Sequence, residues 1–505
     1  MLVIALLVVL GAGAFALAVS HRVKGDPAEV ASAYFDAWRR GDVEAMARLV
    51  YQPPADFATK HRSLTEELHV QDVKLEPGAV RSTGEESAEV PFTGSRTLRE
   101  FGPWPFASTL RLAVRDRAWK VIWTPETLHP LLKDGGTLEL TSFKGLPPEL
   151  VTSEGAKIPN DSYAESYLAQ LRPELGEGGQ GRALVSVVPG QQARRLMAVE
   201  PERKAERTTL SQSVQAAAAR ALDGVADAAV VALRPSTGEI LAVADRLRDN
   251  RSALRDFFPP GSTFKTITAA ALLASGLDPA AQLDCPGSYT IPGNRSIRNA
   301  GGQGHGTVTF ADAYAYSCNT TFVQQAVTRL RGSDLVAAAQ KWGFTGASLS
   351  TGVGGKCGRM NPPGSVDEFA ADSFGQGTVE ATPLCMAMVA AAVQNGSWRV
   401  PRILPLEAAR RIDGTQANAV VKLDDGVVAA LREMMRAVVD HGTASQAGLP
   451  DGVSGKTGTA EAGGGAEHGW FIGYRDDLAF CVFVRNGGSG RASALPIAAR
   501  FLNGL

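Results

Sequence analysis

Histidine and cysteine are the scarce residues of this chain, seven and five among 505. No cysteine belongs to a CxxC pair or lies near a histidine cluster of metal-ligand spacing, which argues against a zinc site. Five cysteines are also too few for a disulfide framework. Cys285, ahead of a Pro-Gly turn, and Cys357, in a Gly-rich loop, are the two loop-like ones, which an oxidising compartment would permit to pair. Cys318, Cys385 and Cys481 lie in apolar stretches and read as small core residues. Charge imbalance is missing too: 51 basic residues stand against 52 acidic ones, a formal net charge of -1. Nothing therefore biases the chain toward nucleic acid. Internal repeats of roughly 20 to 50 residues and long low-complexity tracts are absent, which argues against a solenoid or an array.

What is present is too long for a single hydrophobic core. At roughly 150 residues per domain, two to four units are expected. The first 20 residues read as a transmembrane anchor or uncleaved signal, because Leu2 to Val19 is almost wholly apolar and near the length that spans a bilayer. Ala14-Phe15-Ala16 and Ala16-Leu17-Ala18 look like small-residue cleavage sites, without the basic start of a signal peptide. His21, Arg22 and Lys24 follow, and the positive-inside tendency would hold what comes next in the cytoplasm. The chemistry read further along the chain outweighs that tendency and places the rest outside.

Residues 26–132 read as a small α+β domain. Val30, Ala33, Tyr34, Trp38 and Met46 recur at roughly helical spacing between Pro27 and Leu49, with Gly41-Asp42 a candidate break. Partial alternation at Val70–Leu75, Ser87–Phe92, Thr109–Val114 and Trp119–Trp123 predicts half-buried strands of a curved sheet. Gly and Pro are dense from 133 to 207, which reads as a linker or pedestal. The large C-terminal domain is expected over 208–505, opening with a helix to about Leu222 and a hairpin around Pro235-Ser236-Thr237-Gly238.

Within that domain, Phe258-Pro259-Pro260-Gly261 breaks the chain just before Ser262-Thr263-Phe264-Lys265 and an apolar helix, so Ser262 falls at a helix N-terminus. A serine hydroxyl is a poor nucleophile and needs a base and oxyanion donors. Lys265 lies one turn on, and burial would lower its pKa enough to accept the serine proton. Alone, the pair reads equally as a helix cap and a solvated lysine. Its weight comes from company: Ser317-Cys318-Asn319 and Lys456-Thr457-Gly458-Thr459 follow in order, the second on a predicted edge strand.

SxxK, SxN and KTG in this order resemble the penicillin-binding proteins. Phe374-Gly375-Gln376-Gly377 with Ala381-Thr382-Pro383-Leu384, and His468-Gly469-Trp470-Phe471-Ile472-Gly473, resemble the class B transpeptidases among them. Arg117-Ala118-Trp119-Lys120-Val121-Ile122-Trp123-Thr124-Pro125, then Leu128-His129-Pro130, resembles the end of the NTF2-like domain of methicillin-resistance-type relatives, its aromatics reading as core.

The implied fold class is α+β: a penicillin-binding/serine β-lactamase-like transpeptidase domain, a mostly antiparallel five-stranded sheet flanked by helices, preceded by the NTF2-like domain and the anchor. The resemblance implies Ser262 as nucleophile, Lys265 as base, Ser317 as proton relay and Asn319 as a group that orients the substrate amide and holds Lys265. It makes Lys456 a positive charge in the cleft and Thr457 the contact for a substrate or β-lactam carboxylate. Gly458 permits close approach, and the Thr459 N–H joins that of Ser262 in the oxyanion hole. His468 is read as structural, since a Ser-Lys site needs no histidine.

The expected activity is D,D-transpeptidation of peptidoglycan stem peptides, with β-lactams as inhibitors and no metal or organic cofactor. A D,D-carboxypeptidase, a serine β-lactamase and a non-catalytic β-lactam sensor or cell-wall scaffold are the alternatives. Expected partners are the membrane and a glycosyltransferase or a division or elongation complex, but not nucleic acid. The phrase Arg-x-x-Ile-x-Asp-Arg-x-Gly, usual before class B catalytic domains, is missing, and no glycosyltransferase-like segment precedes the pedestal, so glycan polymerisation is not expected.

Overall fold

The computed structural model describes residues 23–505 apart from 294, 350, 414–418 and 464–466. The apolar segment Leu2 to Val19 lies outside the described residues. Among those described, no helix is long and apolar enough to cross a membrane. The chain divides into two compact units: one runs to Leu146 and takes in Glu177–Arg203, the other comprises Pro147–Gly176 and Lys204–Leu505. The segment from 133 to 207, expected as a linker or pedestal, is thus shared between them.

In the first unit, Asp26 caps α1 (Pro27–Arg39) by accepting from the Ala28 N–H at 2.6 Å, with proline at the first helical position, where its missing N–H costs nothing. Gly41 breaks the helical run and Asp42 caps α2 (Val43–Leu49), followed by α3 (Phe57–Glu67). The sheet comprises β1 (Val70–Pro77), β2 (Arg81–Gly84), β3 (Ser87–Leu98), β4 (Gly102–Arg115) and β5 (Ala118–Val121). Its order is β1-β3-β4-β5, with β2 on β3. Tyr34, Phe35 and Trp38 of α1 bury against Phe92, Phe106 and Leu110 of the sheet. A separate three-stranded sheet, β6 (Thr137–Lys144), β7 (Gln180–Val187) and β8 (Arg194–Val199), completes this unit.

The second unit opens with α4 (Glu165–Glu174) and α5 (Gln212–Ala221). The hairpin β9 (Ala228–Arg234) and β10 (Glu239–Asp245) joins three late strands, β11 (Ser454–Glu461), β12 (Glu467–Arg475) and β13 (Leu478–Val484). The order is β10-β9-β13-β12-β11, antiparallel at every step, so β11 is an edge. β9 is an unbroken apolar run because both its faces are covered. Helix α8 (Pro383–Asn395), buried almost all round, covers one face, and α5 and α10 (Ala494–Asn503) pack on the other. Three more helices matter to the site: α6 (Lys265–Ala274), α7 (Asn319–Arg329) and α9 (Asp425–Asp440).

The cysteine expectation is corrected. Cys285 pairs with Cys318 and Cys357 with Cys385, at Cα separations of 6.0 and 4.2 Å. Apolar surroundings made Cys318 and Cys385 look like plain core residues, but a disulfide is itself well suited to burial. Only Cys481 is a free, buried thiol among the described residues.

Candidate active site

The nucleophile candidate sits where the chain cannot be anything but compact. Gly261–Phe264 forms a 3-10 turn running directly into α6. Gly261 adopts φ +53°, and a Cβ there would lie 2.1 Å from the Thr459 carbonyl oxygen. At Gly458 a Cβ would meet Thr263 Cγ2 at 2.7 Å. Both positions demand glycine, and together they let the turn carrying Ser262 lie against the backbone of β11. The Gly261 N–H also donates to the Gly375 carbonyl at 2.9 Å, so the Phe374–Gly377 phrase buttresses this turn. Ser262 is half-buried at the surface of the turn, and no hydrogen bond holds its hydroxyl among the described residues.

Lys265 is wholly buried; its Nζ donates to the Ser317 carbonyl and to Asn319 Oδ1, each at 2.6 Å, and lies 3.2 Å from Ser317 Oγ. Among the described residues no carboxylate neutralises it, and the Phe322 ring lies 5.5 Å away. Burial first, then the charge of Lys456, pushes its pKa well below the usual lysine value. Both causes favour the neutral amine, whose two N–H groups and one lone pair match three polar neighbours.

Ser317 holds a left-handed backbone, φ +62°, uncommon outside glycine and maintained only where surroundings fix it. Here its N–H donates to the Tyr314 carbonyl at 3.0 Å, and the next residue, Cys318, is tied to Cys285. Asn319 opens α7, with its Nδ2 donating to the Arg298 carbonyl at 2.9 Å. The amide is thus anchored on one side and presents its oxygen to Lys265.

Lys456, Thr457, Gly458 and Thr459 lie along β11. Lys456 is fully buried; its Nζ donates to the Thr457 carbonyl at 3.0 Å and sits 5.4 Å from the Tyr314 ring centre. Burial pulls its pKa to about 7. The Thr457 hydroxyl pairs with that of Thr443 at 2.6 Å, and Thr459 Oγ1 accepts from the Gly490 N–H at 3.2 Å. His468 stands apart from the lysines: its Nδ1 accepts from the Asn486 N–H at 3.1 Å, its ring packs on Phe258 and Phe483, and burial lowers its pKa to about 4. It is a neutral packing residue, as expected.

Three participants escaped sequence reasoning. Thr443 and Tyr314 belong to no motif phrase: Thr443 meets Thr457 from the loop ahead of β11, and Tyr314, just before the SxN phrase, meets Lys456 only once the chain is folded. Cys318 stood inside the SxN phrase, but its partner could not be told from sequence.

A serine at a helix start, with a buried lysine of depressed pKa one turn on and an edge strand bearing a second lysine, defines the Ser-Lys class of acyl-transferases. The chain belongs within it to the penicillin-binding protein family, in the class B branch. Residues 228–503 match the penicillin binding protein transpeptidase domain, and residues 26–136 match the NTF2-like N-terminal transpeptidase domain. The peptidoglycan D,D-transpeptidase PbpA of Mycobacterium tuberculosis is 31% identical over 348 residues, 57% of this chain and 70% of that protein. Penicillin-binding protein A from M. tuberculosis, solved as an imipenem acyl-enzyme complex, aligns with a TM-score of 0.52 at 28% identity, covering 60% of this chain and 80% of that one. Pseudomonas aeruginosa PBP2, in complex with WCK 5153, aligns with a TM-score of 0.58 at 21% identity, over 72% and 96%, a likeness of fold alone.

Proposed function

We propose that this protein is a peptidoglycan D,D-transpeptidase working through a Ser262 acyl-enzyme. The observation that carries the reading is the buried Lys265 amine, held without a carboxylate among Ser317 and Asn319. Lys265 accepts the Ser262 proton as Oγ attacks the carbonyl of the penultimate D-alanine. The tetrahedral oxyanion receives the N–H groups of Ser262 and Thr459. Ser317 passes the proton to the departing D-alanine amine as the peptide bond breaks, leaving an ester on Ser262. The amine of a second stem peptide then attacks that ester, forms the cross-link and restores the serine.

Asn319 orients the donor amide, while Lys456 and Thr457 hold the terminal carboxylate, which β-lactams also present. Gly458 keeps β11 close enough for this. The apolar segment at 2–19 anchors the chain by a single pass, with the catalytic unit outside the cytoplasm. A separate membrane glycosyltransferase, within a division or elongation complex, supplies the glycan strands.

The reading is tested by supplying a stem peptide ending in D-Ala-D-Ala with and without an amine acceptor. Acceptor-linked product and free D-alanine, both lost in Ser262→Ala, are expected. Release of D-alanine to water alone would make the protein a carboxypeptidase, and no release with intact folding would move it to the sensors and scaffolds.

A further inference from the structure

Asp312, Tyr316 and His441 lie beside the site but take no part in the reaction proposed above. His441 ends α9, and its Nε2 lies 2.9 Å from Oδ1 of Asp312, in the short helix Phe310–Ala315 that leads into the SxN phrase. Asp312 Oδ2 accepts from the Thr309 hydroxyl at 2.7 Å. Partial burial acts upward on the Asp312 carboxyl, but the hydrogen bonds from Thr309 and His441 hold it below the usual carboxylate range. A carboxylate only accepts, so His441 Nε2 carries the hydrogen.

Just after His441 the two segments touch along their backbones. A Cβ at Gly442 would collide with the Ala315 carbonyl oxygen and lie 2.8 Å from Val438 Cα, so the approach requires glycine. The Thr443 N–H then donates to that same Ala315 carbonyl at 3.1 Å, and the Thr443 hydroxyl pairs with that of Thr457 at 2.6 Å. Beyond Ala315, the Tyr316 N–H returns to the Asp312 carbonyl at 2.8 Å. The Tyr316 ring is bracketed by His305, stacked at 4.5 Å, and by His441, at 6.0 Å and 70°. Three successive residues, His441, Gly442 and Thr443, are thus registered on Asp312–Ala315, and the last of them reaches β11.

The His441 and Asp312 side chains keep 47% and 33% of their surface exposed. An exposed ion pair adds little to stability. What this one fixes is the position of the two residues that follow it. A hydroxyl pair at 2.6 Å tolerates little displacement, and each hydroxyl has one hydrogen to give. When Thr443 donates to Thr457 Oγ1, the Thr457 hydrogen is left for a ligand. On the role given above to Thr457, we propose that His441 and Asp312 are positioning residues of the carboxylate subsite. Their hydrogen bond sets the register of Thr443, and Thr443 aims the Thr457 hydroxyl at the carboxylate of a stem peptide or β-lactam.

The test compares stopped-flow acylation of the full chain in detergent by penicillin G and by its methyl ester, which lacks the charge. His441→Phe keeps a ring beside Tyr316 but loses the donor, and Asp312→Ala loses the acceptor. Each should raise the dissociation constant of the penicillin encounter complex roughly three- to tenfold, as loss of a hydrogen bond to a charged group does, with the saturating acylation rate nearly unchanged. Acylation by the ester should change far less. His441→Gln, whose amide still donates, should restore most of the affinity. Because the effect runs through Thr443, the double variant His441→Phe/Thr443→Ala should bind penicillin no more weakly than Thr443→Ala alone. Should one single variant fail to fold, the other decides. Equal losses for acid and ester, losses that add to that of Thr443→Ala, or an unchanged penicillin constant would overturn the proposal while leaving the acyl-enzyme intact. A wild type that penicillin does not acylate would instead overturn the acyl-enzyme reading, and this proposal with it.

Discussion

Lys265 and Lys456 are two buried amines within mutual influence, and their division of labour rests on which is neutral. Burial acts on both, but Lys265 is additionally depressed by Lys456, so it is the one assigned as base. Acylation by penicillin should therefore follow a bell-shaped pH profile: kcat/KM rises as Lys265 loses its proton and falls above about 7 as Lys456 loses its own. Lys456→Arg, whose charge does not titrate, should remove the alkaline limb in stopped-flow acylation rates across about pH 5 to 9. An unchanged limb would assign it elsewhere. The Thr443 hydroxyl touches that of Thr457, the residue proposed to hold the substrate carboxylate. Thr443→Ala should raise KM roughly tenfold with little change in kcat, as loss of one hydrogen bond to a charged group does.

The elements around the site are held by devices of different visibility. Cys285–Cys318 ties the strand Gln282–Cys285 to the left-handed Ser317 turn. Replacing both cysteines by serine should lower stability by about 2–4 kcal/mol in denaturant titrations and slow acylation through a misplaced Ser317. Unaltered acylation would make the bridge purely structural. Asp372 stands behind the Phe374–Gly377 phrase; burial raises its pKa to about 6, although Thr378 N–H donates to it at 2.7 Å. Because the folded protein favours the neutral acid, this stabilisation is complete below about pH 4 and vanishes as pH rises through about 6. Wild type, but not Asp372→Asn, should gain melting temperature on acidification from pH 7 to about 5.

What was legible in sequence follows the same division. Ser262, Lys265 and the β11 lysine could be read because each sits at a fixed step from a break or within a short phrase. The helix break at Gly41 was legible for the same reason, whereas the edge position of β11 was implied by the family resemblance. Cysteine partners and Thr443 were not, because each depends on segments that meet only after folding.

At the scale of the whole chain, two hydrophobic cores are built from separate residues, one around Tyr34, Trp38 and Phe92, the other around β9, β13 and α8. Phe92→Ala should destabilise the first unit by about 3–5 kcal/mol while penicillin acylation of the second persists, seen as loss of one calorimetric transition with labelling retained. Loss of labelling would mean that the second unit needs the first. The transpeptidase match over residues 228–503 lies wholly within the second unit. All of this depends on one covalent event. Intact-mass spectrometry of the wild type and Ser262→Ala after treatment with a fluorescent penicillin tests it most directly. A single stable adduct on the wild type, absent from the folded variant, is the predicted result; an adduct that survives Ser262→Ala, or none where a known penicillin-binding protein is labelled, would contradict it.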